Sequence, residues 1–220
     1  MTALVKYIVA KTYQPLLVKY LAKTRQYTFQ DIHLEIPPQV FHPRFFTSTR
    51  FLLNAVLRQN LNGKNVLELG AGSGLISMCA ARKGAAVTAT DINPIAVHYL
   101  KENAKRNKVK MEVIESDLFE SIPERSFDII CINPPYYKRN PVTVAEHAWY
   151  CGEEGEYFQR LFAKLKSYTH AQTIVLMVLC DGCDIKMVRN FALKNSLHMT
   201  VVDTKKTLIE TTFLFNIECN

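Results

Sequence analysis

The segment Val66–Gly74, VLELGAGSG in one-letter code, decides the fold of this 220-residue chain. Its first half is an apolar run typical of a buried strand, and its second half carries glycine at alternate positions. Glycine allows the backbone to turn sharply and to approach a ligand without a Cβ in the way. A helical pattern follows over residues 75–83. The segment therefore predicts a strand, a tight turn and a helix, with a ligand pocket at the turn.

Strand patterns and helical patterns alternate from residue 62 onward. The predicted strands are 65–69, 86–90, 111–115, 128–132 and 173–179, the helices are 75–83, 94–107, 153–168 and 184–195, and two last strands are 199–203 and 211–218. Such alternation specifies a mostly parallel sheet with helices on both faces. The last two strands are joined by a short link, so they must pair antiparallel. The predicted fold is a doubly wound α/β fold with a seven-stranded sheet and a C-terminal antiparallel pair.

A basic extension, residues 1–45, is predicted to precede a domain at 46–220. Residues 2–23 form an amphipathic helical pattern broken or kinked at Pro15, and residues 27–36 alternate as a strand does. Residues 1–50 carry seven basic and two acidic residues, hence +5 of the total net charge of +7. This charge fits a surface that faces RNA or an acidic protein, and equally a solvated helix face.

Composition excludes several classes of protein. Apolar residues make up 48% and charged residues 21% of the chain, which is typical of globular proteins and not of disordered, collagen-like or disulfide-stapled ones. The longest apolar run, Ile174–Cys180, is much shorter than the about 20 residues of a membrane helix. Lysines interrupt the N-terminal apolar pattern, unlike in a signal peptide. We therefore expect a cytoplasmic protein with no membrane association.

Cysteines and histidines do not form a pattern that indicates a metal site. The six cysteines lie mostly in apolar runs and are predicted to be reduced core residues. Cys180 and Cys183 have C-x-x-C spacing, but no second pair of ligands accompanies them. We predict no metal and assign no catalytic role to the six histidines.

Carboxylates follow the second and third strands of the predicted sheet. Asp91 ends the second strand, 21 residues after Gly70, where it is placed to accept hydrogen bonds from both hydroxyls of a ribose. The alternative is a helix N-cap, because a helix begins at Pro94. Asp117 ends the third strand, where its carboxylate or a backbone amide can bond an adenine edge. The spacing G-x-G-x-G differs from the dinucleotide fingerprint G-x-G-x-x-G, which argues against NAD.

The tetrapeptide Asn133-Pro134-Pro135-Tyr136 follows the fourth strand. The amide oxygen of Asn133 and the carbonyl of Pro134 can accept both hydrogens of a planar NH2 group. This arrangement keeps the nitrogen lone pair from delocalising and directs it at an electrophile. The two prolines stiffen the backbone, and Tyr136 offers a flat ring against which an amide or a base can stack.

Together, four segments resemble the class I S-adenosylmethionine-dependent methyltransferases, in particular the branch that carries N-P-P-Y and methylates amino groups. The segments are Val66–Gly74, Thr90–Pro94, Ser116–Phe119 and Asn133–Tyr136. Within that branch the chain is most similar to the protein-glutamine N5-methyltransferases of peptide-release factors. Val40–Thr47 resembles their Pro-Arg-Pro-Glu-Thr segment, with Phe45-Phe46-Thr47 in place of its last three residues. Gly152–Gly155 resembles their Gly-Gly-x-Asp-Gly stretch.

The resemblance implies a Rossmann-like fold, S-adenosyl-L-methionine as cofactor and direct displacement of its methyl group by the acceptor nitrogen. The residues it assigns to the cofactor are Glu68, Gly70, Gly72, Asp91, Asp117 and Asn133, and those it assigns to the acceptor are Asn133, Pro134 and Tyr136. Residues 137–150, beside the predicted pocket, are expected to form either a lid or a packed surface loop.

The leading hypothesis is methylation of a glutamine amide in a protein, with a release factor as the partner. The alternative is methylation of adenine N6 in RNA or DNA, which the basic first 50 residues favour. A third hypothesis, a cofactor-binding module without activity, has no physical need for an intact N-P-P-Y. A NAD-dependent oxidoreductase is the least favoured hypothesis, because the dinucleotide fingerprint is incomplete.

Overall fold

A mixed sheet of seven strands forms the centre of the molecule, in the order β5-β4-β3-β6-β7-β9-β8. A computed structural model describes residues 19–208 and 210–219. The strands are β3 (Asn65–Leu69), β4 (Ala86–Asp91), β5 (Glu112–Glu115), β6 (Ile129–Ile132), β7 (Ile174–Cys180), β8 (Leu197–Lys206) and β9 (Thr211–Cys219). Strands β3 to β7 run parallel, and β9 pairs antiparallel with β7 and β8. The predicted doubly wound fold and its antiparallel C-terminal pair are confirmed.

Five helices cover the two faces of this sheet. They are α1 (Thr47–Leu57), α2 (Leu75–Arg82), α3 (Pro94–Arg106), α4 (Glu156–Leu165) and α5 (Ile185–Lys194). Strand β3 shows why both faces are covered: Leu67 and Leu69 belong to the apolar cluster with α4 and α5, and Val66 to the cluster with α1 and α2. Apolar side chains on both faces of a strand are typical of a parallel sheet between two helical layers.

Helix α1 was not predicted from the sequence. Phe46 precedes it without a side-chain cap, and its first turn contains no acidic residue, so the usual signals of a helix start are missing. The helix is held instead by packing, because Leu52, Leu53 and Val56 are completely buried. Tertiary contact of an apolar face stabilises a helix more than its caps do.

The prediction of one strand over residues 27–36 is wrong, because the chain forms a hairpin there. Strand β1 (Arg25–Phe29) pairs antiparallel with β2 (Ile32–Ile36) through a two-residue turn, in which Gln30 has a φ of 52°. Apolar residues alternate on both sides of the turn, but the alternation changes phase at Gln30 and Asp31, two polar residues in a row that mark the turn. The predicted helix over 2–23 lies almost entirely outside the described residues, and the boundary at 45/46 stays a prediction.

Two buried asparagines, Asn103 in α3 and Asn107 at the C-cap of α3, hold this hairpin against the domain. Asn107 accepts from the N–H of His33 at 2.8 Å and donates to its carbonyl at 2.7 Å. Asn103 bonds Glu35 in the same way, at 2.8 and 2.9 Å. Residues four apart on a helix are separated by about 6 Å along its axis, and alternate strand residues by about 6.6 Å. The spacing of the two side-chain amides therefore matches the spacing of the backbone N–H and C=O groups on the free edge of β2. The amides bond these groups as the backbone of a third strand would.

We expect Asn103→Ala to destabilise the protein, because the backbone N–H and carbonyl of Glu35 lose their partners. A buried polar group without a partner costs about 1–3 kcal/mol, so the free energy of unfolding should fall by about 2–4 kcal/mol. Urea denaturation followed by circular dichroism measures the change. Glu102→Ala, at an exposed position of the same helix, should change stability by less than about 0.5 kcal/mol. Equal stability of the two variants would contradict the structural role of Asn103.

The cysteines with a described environment are buried and free: Cys79, Cys131, Cys151, Cys180 and Cys183. Burial raises the pKa of Cys131 and of Cys180, which agrees with the prediction of core residues. Among the residues that the structure describes, no three potential metal ligands come together. Within the same residues, no helix is both long and apolar enough to cross a membrane.

Candidate active site

A cavity lies at the carboxyl ends of β3, β4, β5 and β6. Strand β4 lies on one side of β3 and β6 lies on the other, so the strand order reverses here. Open α/β sheets bind ligands at such a switch point. Its lining includes all of the residues assigned to the site from the sequence: Glu68, Gly70, Gly72, Asp91, Asp117, Asn133, Pro134 and Tyr136. The structure thus brings the predicted residues together, while the role of each stays a prediction.

The glycine-rich turn forms the floor of the cavity. Gly70 and Gly72 line it with φ values of 71° and 52°, in the left-handed region that side chains disfavour. A Cβ at Gly70 would meet no atom within 4 Å, so a side chain there would enter the open cavity. At Gly74 a Cβ would lie 2.5 Å from Cδ2 of Leu100. The third glycine therefore serves the packing of α3 against the turn.

The carboxylate of Asp91 joins two loops of the cavity wall. Oδ2 accepts the N–H of Gly72 at 2.8 Å, and Oδ1 accepts the N–H of Asn93 at 2.9 Å. The N-cap alternative for Asp91 is wrong, because the side chain of Asn93 caps α3 by accepting the N–H of Ile95. Burial raises the pKa of Asp91, whereas the two backbone N–H groups lower it. Each oxygen retains acceptor capacity for one hydroxyl of a diol.

Glu68 is buried beneath the turn and is bonded within the protein. Its Oε2 accepts the backbone N–H of Ser77 at 2.8 Å and also the hydroxyl of Ser77. Burial raises the pKa of Glu68 to about 8, although the bonds from Ser77 act in the opposite direction. Glu68 thereby ties the end of β3 to α2 and fixes the turn between them.

Asp117 turns its carboxylate to α4. It forms an ion pair with Arg160 at 2.8 Å, and the same guanidinium reaches Glu120 at 2.8 Å. Asp117 still lines the cavity together with Ser116 and Leu118. Of the two possibilities for an adenine edge, carboxylate or backbone amide, this geometry favours the backbone.

Asn133 and Tyr136 are both anchored by neighbours outside their tetrapeptide. Nδ2 of Asn133 donates to Oγ1 of Thr49 at 3.3 Å, and Oδ1 has no donor among the described residues. The hydroxyl of Tyr136 lies beside the thiol of Cys180, and burial raises the pKa of Tyr136 well above its ordinary range. The ring of Tyr136 lies 4.8 Å from that of Tyr137, between centroids. The tetrapeptide therefore presents an amide oxygen and an aromatic ring in fixed positions.

Sequence reasoning missed two aromatic rings of the cavity wall, Phe41 and Trp149, and a third ring, Phe46, that packs against both. Phe41 and Phe46 stack with centroids 4.0 Å apart, and each centroid lies 5.1 Å from that of Trp149. Phe41 and Trp149 line the cavity. Aromatic residues in loops were a visible signal, but their pairing across more than 100 positions was not. The cluster connects residues 39–46 with the segment that follows Tyr136.

Residues 137–150, predicted to be either a lid or a packed surface loop, border the cavity through side chains that include Tyr137 and Trp149, and the choice between the two alternatives stays a prediction. Tyr137 exchanges backbone hydrogen bonds with Trp149 and Cys151, each 3.0 Å long. A short 3₁₀ helix, Val144–Ala148, carries a capping box and leads to Trp149, the single tryptophan of the chain. His147 lines the cavity. No spacing in the sequence indicated that this histidine lies at the site.

Comparison with known proteins identifies the family of this chain. The model of the methyltransferase small domain matches residues 32–149, which is more than half of the chain. The chain belongs to this family. The prediction of a methyltransferase with S-adenosylmethionine as cofactor is confirmed at the level of family and cofactor.

Two curated relatives are named for methylation of glutamine. One, from Methanocaldococcus jannaschii, is named provisionally as a protein N5-glutamine methyltransferase; it is 45% identical over 108 residues, 49% of this chain and 52% of that protein. The other, the release factor glutamine methyltransferase of Lactococcus lactis, is 38% identical over 111 residues, 49% of this chain and 40% of that protein. The match thus spans about half or less of their length.

A solved structure shows the same fold with a ligand. The 16S rRNA methyltransferase of T. thermophilus, solved with AdoMet and guanosine, superimposes with a TM-score of 0.62 at 20% identity. The superposition covers 88% of this chain and 50% of that protein. At this identity the likeness concerns the fold alone.

We expect Asp91→Ala to weaken binding of S-adenosylhomocysteine, titrated through the fluorescence of Trp149. A hydrogen bond to a charged group contributes about 1.5–3 kcal/mol, so the dissociation constant should rise about tenfold to a hundredfold. Asp91→Asn keeps one acceptor oxygen and should bind with intermediate affinity. Asp203→Asn, on strand β8 far from the cavity, is the matched control. Binding of wild-type strength by Asp91→Ala would refute the ribose role.

Glu68 should make stability depend on pH. Between the ordinary carboxyl pKa of 4.5 and its folded value of about 8, the folded protein holds a proton that the unfolded chain releases. Stability from this group is therefore complete below pH 4.5 and decreases as pH rises to about 8.

Glu68→Gln lacks this proton, so we expect the variant to gain at least about 1 kcal/mol relative to wild type between pH 5 and pH 8. Urea unfolding at a series of pH values measures the difference. Parallel pH profiles for the two proteins would show that the carboxyl of Glu68 is not held protonated.

Proposed function

We propose that this protein transfers a methyl group from S-adenosylmethionine to the side-chain amide nitrogen of a glutamine in a protein, with a peptide-release factor as the first candidate. The observation that carries the proposal is the position of Asn133. Its amide group is anchored on one side by Thr49 and is free at Oδ1, in the wall of a cavity that also holds Asp91.

The residues of the cavity fit the chemical groups of S-adenosylmethionine. The diol of its ribose suits the two oxygens of Asp91, each of which has acceptor capacity left. The open space above Gly70 admits a ligand against the backbone. Helix α1 presents Ser48 and Thr49 to the cavity, and its uncapped, acid-free first turn suits a carboxylate. The backbone N–H of Ser116 already donates to the carbonyl of Asp91, so the N–H of Asp117 is the backbone donor proposed for the adenine.

When bound, the cofactor supplies an electrophilic methyl group on a positively charged sulfur. The residues of this chain orient the nucleophile. Oδ1 of Asn133 and the carbonyl of Pro134 accept the two N–H groups of the acceptor amide, which holds its nitrogen lone pair in place. The ring of Tyr136 supports the amide plane. Alignment of this kind lowers the barrier without a general base, because the amide proton can leave after the bond to carbon has formed.

A glutamine acceptor is supported by the names of the relatives. Both curated relatives carry the word glutamine in their names, and each match covers about half of this chain. Because the same match covers about half or less of those proteins, the acceptor is part of the proposal.

A nitrogen on an RNA base is the second candidate. The T. thermophilus structure with guanosine shares the fold, and residues 1–50 carry an excess of five positive charges that suits phosphates. An amide and an exocyclic amino group both present planar N–H pairs, so the groups around Asn133 serve either one.

The test supplies labelled S-adenosylmethionine to an extract of cells that lack this protein, with purified wild type or Asn133→Ala added. We expect label in protein with wild type alone, at a glutamine located by mass spectrometry. The purified release factor is then the first single substrate. Asn190→Ala, at an exposed position of α5, is the matched control and should label as wild type does.

Asn133→Ala should bind S-adenosylhomocysteine with nearly unchanged affinity, as the fluorescence of Trp149 reports, because its loss concerns the acceptor. Label that is sensitive to nuclease and depends on Asn133 would replace glutamine by an RNA base. Label of wild-type intensity with Asn133→Ala would overturn the mechanism.

A further inference from the structure

An asparagine that holds an acceptor amide must present its oxygen and not its NH2 group. The two ends of a side-chain amide have nearly the same shape, and rotation by 180° about the last bond exchanges them. In the rotated state the NH2 of Asn133 would face the N–H groups of the acceptor, donor against donor. A partner that accepts the NH2 group at the far end of the amide therefore supports the productive orientation.

Thr49 is the described residue that bonds this amide. Its Oγ1 lies 3.3 Å from Nδ2 of Asn133, and Thr49 is only 8% exposed. The two residues are 84 positions apart in the sequence and meet where α1 borders the cavity. With Nδ2 bonded to Thr49, Oδ1 is left for the acceptor.

The support behind Thr49 is rigid. Helix α1 is fixed by Leu52, Leu53 and Val56, all without solvent exposure. Thr47, the threonine that the sequence resemblance aligned, turns its hydroxyl to Glu210 at 3.2 Å and does not line the cavity. Of these two threonines, the structure assigns contact with the site to Thr49.

We propose that Thr49 is a positioning residue for methyl transfer: its hydroxyl holds the side chain of Asn133 so that Oδ1 faces the acceptor nitrogen. This inference rests on the proposed function of Asn133. It concerns orientation of the acceptor and not the binding of the cofactor. Thr49 acts through Asn133, and its side chain is not required to touch the acceptor.

The kinetic test compares Thr49→Val, which keeps the shape and loses the hydroxyl, with Thr49→Ser, which keeps the hydroxyl. Loss of a supporting hydrogen bond behind a functional group typically costs about tenfold to a hundredfold in activity, so we expect kcat of Thr49→Val to fall by that factor. Thr49→Ser should recover to within about threefold of wild type. Thr47→Val is the matched control and should retain wild-type kcat.

The affinity for the cofactor distinguishes a role of Thr49 in positioning Asn133 from a role in binding the cofactor. The dissociation constant of S-adenosylhomocysteine, measured by Trp149 fluorescence, should stay within about twofold of wild type in Thr49→Val. A large loss of affinity together with an unchanged kcat would overturn the proposal, because Thr49 would then serve the cofactor. An unchanged kcat and unchanged affinity would overturn it as well.

A measurement without turnover keeps this inference distinct from the proposed function. In ¹⁵N-labelled protein bound to S-adenosylhomocysteine, the side-chain NH2 signals of Asn133 are those missing from the spectrum of Asn133→Asp. They should shift in Thr49→Val and return in Thr49→Ser and Thr47→Val. Unshifted signals in Thr49→Val refute the hydrogen bond. Shifted signals in a protein that does not methylate glutamine refute the proposed acceptor and leave the contact with Thr49 standing.

Discussion

The carboxylate of Asp91 is the constraint on which the site depends. Burial disfavours the charge of this carboxylate. Hydrogen bonds from the backbone N–H groups of Gly72 and Asn93 stabilise the charge. The first of these belongs to the turn after β3 and the second to the start of α3. One side chain therefore sets the distance between two loops, and the remaining capacity of its oxygens faces the cavity. Glu68 does the same for β3 and α2 through Ser77.

The parts of the fold that could be predicted are the strands and helices whose signal lies in their own local sequence. Strands β3, β6 and β7 are rich in apolar residues, and each of the strands β3 to β7 lies within a residue or two of its predicted place. Residues at the ends of parallel strands share one edge of a sheet. For that reason Asp91 and Asn133 could be assigned to a common pocket although 42 positions separate them in the sequence.

What could not be predicted depends on contacts between distant segments. Helix α1 lacks a side-chain cap and is stabilised by the burial of its apolar residues, so its local sequence gave no signal of a helix start. With α1 unseen, Thr49 had no reason to be paired with Asn133. The ring cluster of Phe41 and Trp149 likewise exists only because two loops meet. The turn at Gln30 was missed although Gln30 and Asp31, two polar residues in a row, interrupt the alternation. No glycine or proline marks this turn, and the positive φ of Gln30 reveals the hairpin.

The asparagine pairing of the hairpin has a consequence for cooperativity. Asn103 and Asn107 attach β2 to α3, and the side chain of Asn93, at the other end of that helix, donates to the carbonyl of Gln39 at 3.2 Å. The hairpin and the corner of the cavity at Asp91 thus share one helix, α3, as a common support. Coupling between two sites is reciprocal in free energy. We therefore expect a ligand that orders the corner at Asp91 to slow hydrogen exchange of the hairpin amides, although the hairpin does not line the cavity.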